Sequence, residues 1–270
     1  MRRRGVELAA AAVAALGFAF ACGDVPTLPG GVAYITPILL PSPSMAFGDS
    51  LRDSTGKVAP LRVVAVARDS SIVTGVLVSY LLTSLNTGAS VTNDGIVRAP
   101  DSLGTLRVVA QVTDGTSNGA LQLQTPEVTI DVVPLADSMA QSGTLPATDS
   151  LLTLPLIQPL QVTVSGVGPS TRGAVSGIRV YYRIKAVYPA SVPVIGHFYL
   201  ADELGVLKRD STQAIDTTSS AGIASRSLIG AASTDGSVVD SVLVEASASS
   251  QKGVPLTNSP VRFIVRVKHP

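Results

Sequence analysis

The stretch Gly75-Val76-Leu77-Val78-Ser79-Tyr80 returns further along the chain as Gly177-Ile178-Arg179-Val180-Tyr181-Tyr182. Read as Gly-[Val/Ile]-x-Val-x-Tyr, each copy is a strand with one apolar face, because successive side chains of a strand point to opposite sides of the sheet. Two such strands imply two similar domains, and a chain of 270 residues is long enough to give each its own core. Tyr80 and Tyr182 should then occupy corresponding buried positions, each with its hydroxyl near a polar partner.

The rest of the composition agrees with strands. Aromatics make up 4%, Trp is absent and charged residues make up 14%, while Val, Ser, Thr, Gly and Pro recur throughout. That mixture suits short β-branched strands punctuated by turns, not helices with charged outer faces. With 20 Lys and Arg against 19 Asp and Glu, the chain has no field of the kind that binds nucleic acid by neutralising phosphates. One cysteine excludes an intramolecular disulfide, and the Cys/His clusters of a structural zinc site are missing.

Residues 1–21 open with Arg2-Arg3-Arg4, continue through an apolar run from Leu8 to Phe18 and end on Ala19-Phe20-Ala21. A positive start, a short apolar core and a small-x-small exit make a signal peptide, too short to span a bilayer comfortably, so export is expected. The competing reading is a retained membrane helix, against which stands the lack of a stop-transfer flank. Ala19-Phe20-Ala21-Cys22 looks like a lipobox, although Leu is usual at Ala19 and a smaller residue at Phe20. Cys22 is thus the expected lipid anchor to a membrane of the cell envelope, facing the periplasm or the cell surface. Cleavage after Ala21 without lipidation is the alternative.

Residues 22–32, rich in Pro and Gly, read as a flexible tether. From 33 to 134 the pattern is strands. Tyr34 to Leu40 is broken by Pro37 and should lie at a sheet edge. Leu61 to Val66, Val76 to Leu82, Leu106 to Val112, Leu121 to Gln124 and Val128 to Val133 follow at short intervals, with turns at Asn93-Asp94-Gly95 and Asp114-Gly115. About seven short strands without a helical period are the signature of a β-sandwich. Residues 135–148 lack alternation and read as a linker, and 149–270 repeat the programme. Leu160 to Val164 answers Leu61 to Val66, Ile178 to Ile184 answers Val76 to Leu82, and Asp240 to Ala246 answers Leu106 to Val112. Extra length between Tyr188 and Ser227 marks an insertion.

The segments Leu40-Pro41, Gly48-Asp49-Ser50, Val78-x-Tyr80, Asn93-Asp94-Gly95-Ile96-Val97 and Gly104 to Ala110, with Thr217 to Ala224 and Asp240 to Ala246, resemble the bacterial immunoglobulin-like domains of the invasin and intimin group. The match departs at Tyr80, where Trp or Phe is frequent. What the resemblance implies is an all-β chain of two tandem immunoglobulin-like β-sandwiches in an envelope protein, where such domains serve as spacers or adhesive modules. Adhesion is encoded in no matched residue.

Chemistry is sparse. Gly115-Thr116-Ser117-Asn118-Gly119 satisfies the pattern of a hydrolase nucleophile elbow, but it follows a turn signal, and His197 and His269 lie in the other half. No nucleophile, base and orienting group assemble within one half, so no enzyme and no cofactor are expected. Asp49, Asp53, Asp94, Asp114 and Asp235 read as turn formers, not as a calcium cage. The most unusual surface is a row on the strand from Ile178. If Ile178, Val180, Tyr182 and Ile184 face the core, then Arg179, Tyr181, Arg183 and Lys185 project from the other face, beside Arg262, Arg266 and Lys268 on a strand whose Val261, Phe263, Val265 and Val267 point inward. Such a row suits an acidic envelope glycan or another envelope protein, and equally suits a solvated sheet face. A secreted carbohydrate-binding or enzyme-associated accessory module is the alternative function.

Overall fold

The computed structural model describes residues 31–84, 88–113, 122–143, 152–153, 156–188, 198–201, 211–230 and 240–268. The signal peptide, Cys22 and most of the tether, the Gly115 to Gly119 motif, Asp114, Asp235, His197 and His269 lie outside them. Twenty strands occur among the described residues. They are β1 Val32–Ile35, β2 Ser44–Ala46, β3 Ala65–Ala67, β4 Ile72–Val73, β5 Val78–Leu82, β6 Ser90–Val91, β7 Val97–Arg98, β8 Gly104–Thr113, β9 Gln122–Gln124 and β10 Val128–Val133. There follow β11 Leu135–Ser142, β12 Leu152–Thr153, β13 Leu156–Val167, β14 Arg172–Ala174, β15 Arg179–Tyr188, β16 Phe198–Ala201, β17 Gln213–Thr217, β18 Ile223–Gly230, β19 Ser241–Ala248 and β20 Val261–Lys268.

The chain divides into two compact units. The smaller comprises Met1–Thr36, Val64–Leu77 and Val112–Gln124. Its antiparallel sheet has the order β1-β3-β4, with β1 at the edge, as the interrupting proline requires. The segment from Leu61 to Val66, expected as one strand, is therefore shared: β3 belongs here and Leu61 to Val63 to the larger unit.

The larger unit, Pro37–Val63, Val78–Gln111 and Thr125–Pro270, holds two β-sandwiches with separate cores. In the second sandwich one sheet has the order β11-β13-β18-β16 and the other β12-β20-β19-β15-β17. The first is the A-B-E-D sheet and β20-β19-β15 the G-F-C sheet of an immunoglobulin-like sandwich. In the first sandwich the order β2-β10-β8-β5 repeats β12-β20-β19-β15, down to the parallel pairing of the outermost strand with the last. Opposite it, the second sheet is reduced to β6-β7 and to single bridges, Ser50 with Arg98 and Leu39 with Arg62.

The duplicated pattern sits on corresponding strands. Gly75 and Gly177 both hold φ +77, a left-handed conformation that side chains resist and glycine does not. Tyr80 donates to the Leu61 carbonyl at 3.1 Å and Tyr182 to the Ala224 carbonyl at 2.9 Å, both from the core side of their strands. The second register differs from the one expected. The Leu61 amide donates to Gly95 O at 2.9 Å and the Val164 amide to Gly222 O at 2.8 Å, in turns of identical bonding, so Leu61 answers Val164 and not Leu160. The cause is a hairpin inserted into the strand of the first sandwich. Leu51 already bonds Val97 O, the chain leaves the sheet through Arg52 paired with Val58, and it returns at Leu61.

The expected linker is a second correction. Leu135–Ser142 is β11, separated from β10 by Pro134 alone. A bulge between Ala136 and Ser138 breaks the two-residue period, so the buried Ala136 and Met139 fall three apart and alternation disappears from the sequence. Residues 144–148 of that segment lie outside the described ones.

Candidate functional site

The charged and polar side chains of the larger unit gather at two places, the joint between its sandwiches and the outer face of the β15 sheet. The joint is polar and closely fitted. Gln251, in the turn between β19 and β20, donates to Pro134 O at 3.0 Å and accepts from the Ala136 amide at 2.9 Å, so one side chain holds both sides of the single-residue connection. Ser44 donates to Ser176 O at 2.9 Å, and Ser176 donates to Asp131 at 3.4 Å. The inserted hairpin reaches the same turn of the second sandwich. A Cβ on Gly56 (φ +83) would stand 2.5 Å from the Gly253 nitrogen, and one on Gly253 (φ +76) 2.5 Å from Thr55 O. Backbone meets backbone there, a separation open only to glycine.

Asp49 sits beside this contact. Its carboxylate accepts from Arg52 at 3.0 and 3.1 Å and from the Ser50 amide at 2.8 Å, and lies 3.8 Å from Lys252 of the second sandwich. Burial pushes its pKa up, but the hydrogen bonds from Arg52 and Ser50 and the charges of Arg52 and Lys252 outweigh that, and the group titrates below the usual carboxylate range. Asp53 accepts from the Thr55 amide and hydroxyl at 2.8 and 2.7 Å and from the Lys57 amide at 3.1 Å, which folds the hairpin tip. Both aspartates thus spend their oxygens on internal donors, as turn formers do. Among the described residues no group of three His, Cys, Asp or Glu side chains converges to hold a metal.

On the β15 sheet the alternation is as expected. Val180, Tyr182 and Ile184 are buried, and Arg179, Tyr181, Arg183 and Lys185 are exposed. Phe263, Val265 and Val267 are buried, Arg262 and Arg266 point the other way, and the side chain of Lys268 lies outside the described ones. The row itself departs from expectation in two ways. A bulge between Ile184 and Ala186 interrupts the pairing with β19, so the even spacing ends at Arg183 and Lys185 stands off the register. The face also carries an acid: Glu245 lies opposite Arg183 and bonds Arg262 at 3.1 Å. Sequence reasoning missed the apolar members of the face, Tyr188, Ile215 and Ile264, which are exposed. Ile215 belongs to the insertion, whose strand partner no periodicity reveals, and Tyr188 comes after the bulge that resets the alternation.

Next to β15 runs the edge strand β17, which places Ile215 opposite Tyr181 and Gln213 opposite Arg183. A groove of about 670 Å³ straddles this edge, lined by Tyr181, Arg183 and Ile215 from the outer face and by Tyr182, Leu200 and Arg226 from the core side. Arg226 and Asp216 form an ion pair at 3.1 Å with side chains only 14% and 18% exposed. Arg226 also donates to Ile215 O, and the Ser211 hydroxyl to Gln213 O. Among the described residues Arg179, Arg183 and Lys185 have no ion-pair partner.

No protein-family model and no curated protein sequence matches the chain. Among solved structures it is similar to the fibronectin(III)-like modules of Clostridium thermocellum CbhA, with 11% identity, a TM-score of 0.33 and coverage of 87% of this chain and 94% of that one. The D00-D0 domain of Intimin is 12% identical at a TM-score of 0.27, over 87% of this chain and all of that one. The native conformation of E. coli alpha-2-macroglobulin gives 12% identity and a TM-score of 0.33, and the chain spans 15% of its length.

Proposed function

We propose that this chain is a non-enzymatic protein of the cell envelope, held to a membrane through lipid on Cys22, whose paired immunoglobulin-like sandwiches act as a spacer and present a binding face. The observation that carries the spacer reading is the joint. A flexible hinge needs slack in the connection, whereas here one proline separates β10 from β11 and Gln251 bonds both sides of it. The Gly56 and Gly253 backbones then close the contact on the inserted hairpin. A module built only to fold needs none of these bonds, while a module that holds a distance needs all of them.

The binding part of the proposal takes an acidic envelope polymer as partner, met by the β15 cations, which have no ion-pair partner among the described residues. The secreted accessory module is the second reading, favoured by the exposed Tyr181 and Tyr188 on the same open sheet face. Two measurements test the first reading. Dyes on exposed positions of the two sandwiches, such as Ser90 and Ile264, should report one narrow distance distribution that broadens in a Gly56→Ala/Gln251→Ala variant; a broad distribution in the unaltered protein defeats the spacer. Mass spectrometry of the mature protein should find acyl chains on Cys22, and an unmodified Cys22 removes the anchor.

A further inference from the structure

The geometry points to a subsite on the second sandwich for an acidic polysaccharide of uronic acid units, with Tyr181 as the plate for one sugar ring and Arg179 and Arg183 as the partners of carboxylates on that unit and its neighbours. The inference deepens the binding part of the proposed function and rests on it. Three observations support it. Tyr181 is 43% exposed, and its strand neighbours on the same face are arginines two residues to either side, which puts each guanidinium about 6 to 7 Å along the strand from the ring. Neither arginine has an ion-pair partner among the described residues, so both keep the planar fork that pairs with a carboxylate. Across from the ring, β17 offers Ile215, 53% exposed, and next to it Gln213, whose amide can bond sugar hydroxyls.

The edge strand that flanks the ring is held in place. Arg226 is committed to Asp216, to the Ser225 carbonyl at 2.9 Å and to the Ile215 carbonyl, so it fixes β17 from the core side, while alternation along β15 turns Tyr181 and Arg183 outward. At its other end the row begins at the joint, where Arg179 and Tyr181 line a notch beside Arg52 and Asp53.

The same residue types could stack and neutralise a single-stranded nucleic acid. Charge density decides between the two. Glu245 sits opposite Arg183 and neutralises Arg262, and the whole chain carries only +1, so the face is too weakly positive for a phosphate at every step. A polymer with one carboxylate per ring and an apolar ring face between the charges fits the arginine, tyrosine, arginine order.

The test is calorimetric titration of the purified full chain with a galacturonate oligomer, its methyl ester and single-stranded oligothymidylate, at low and at physiological salt. The galacturonate oligomer should bind, more weakly as salt rises, and its methyl ester should lose most of that binding. Tyr181→Ala should weaken the galacturonate complex about tenfold, the loss of one stacking contact, and Tyr181→Phe should restore it. Arg179→Ser/Arg183→Ser should abolish it, and Arg107→Ser, on the first sandwich, should leave it unchanged. Absence of galacturonate binding, equal binding of the methyl ester, tighter binding of oligothymidylate, or indifference to Tyr181→Ala would each overturn the subsite. The spacer is judged separately, by the distance distribution across the joint.

Discussion

Replacing Gly56 by alanine would bring a methyl group onto the backbone of Lys252 and Gly253 at φ +83, so neither the hairpin nor the turn can keep its position. The expected cost is about 1 to 3 kcal/mol from strain and lost contact, read as a lower urea midpoint in the full chain. An unchanged midpoint would mean the contact contributes nothing. The two tyrosines of the repeat differ in the same currency. Tyr182 is 1% exposed and Tyr80 is half-buried, so Tyr182→Ala should cost about 3 to 5 kcal/mol and Tyr80→Ala roughly half as much. Tyr182→Phe, which removes the hydroxyl bonded to the Ala224 carbonyl, should cost about 1 to 2 kcal/mol. Asp49 makes the stability depend on pH. Its folded pKa is depressed, so its contribution is complete above the unfolded value of about 3.9 and is lost as pH falls through the lower folded value. Urea midpoints followed from neutral pH into acid should show that loss below about pH 4, and Asp49→Asn should flatten that part of the slope while lowering the neutral-pH midpoint.

β17 shows how an element on a sheet edge is kept from pairing with strangers. Its outward carbonyls at Gln213 and Ile215 are taken by Ser211 and Arg226, and Asp216 holds Arg226 in place. Arg226→Ala should remove about 3 kcal/mol, since it leaves the mostly buried Asp216 carboxylate without its counter-charge and with the Ser225 amide as its remaining donor, and should promote dimers through the bared edge, seen by size-exclusion chromatography. A stable, monomeric variant would show the capping to be incidental. Elements of this kind decide what the sequence reveals. β20, and β15 as far as Ile184, were legible because their alternation runs unbroken there across a sheet with one buried face. β11 was hidden by one bulge, and the strand that ends at Leu61 was misregistered because a hairpin interrupts it and shifts every position after Arg52. The exposed Tyr188 was lost for the same reason as Lys185 was misplaced: one extra residue at Lys185 changes which face the following side chains take.

At the scale of the molecule, duplication was readable, since β5 and β15 carry the same valine and tyrosine and follow the same glycine. The joint was not. Gln251, Gly56 and Gly253 are ordinary turn residues in the sequence, and their role comes from contacts with residues more than a hundred positions away, which no local pattern encodes. The Arg179 to Arg183 segment of the face was readable, but its acid and its edge strand were not, because Glu245 and Ile215 reach it only through pairing. In each sandwich the outermost strand of the repeated sheet runs parallel to the last, β2 beside β10 and β12 beside β20. When the two ends of such a module are drawn apart, parallel neighbours slide lengthwise past each other, and their hydrogen bonds bear the load together instead of parting one by one. A chain fastened at one end and tugged at the other would therefore yield late and abruptly, at a force set by the rate of unfolding under tension and not by its equilibrium stability.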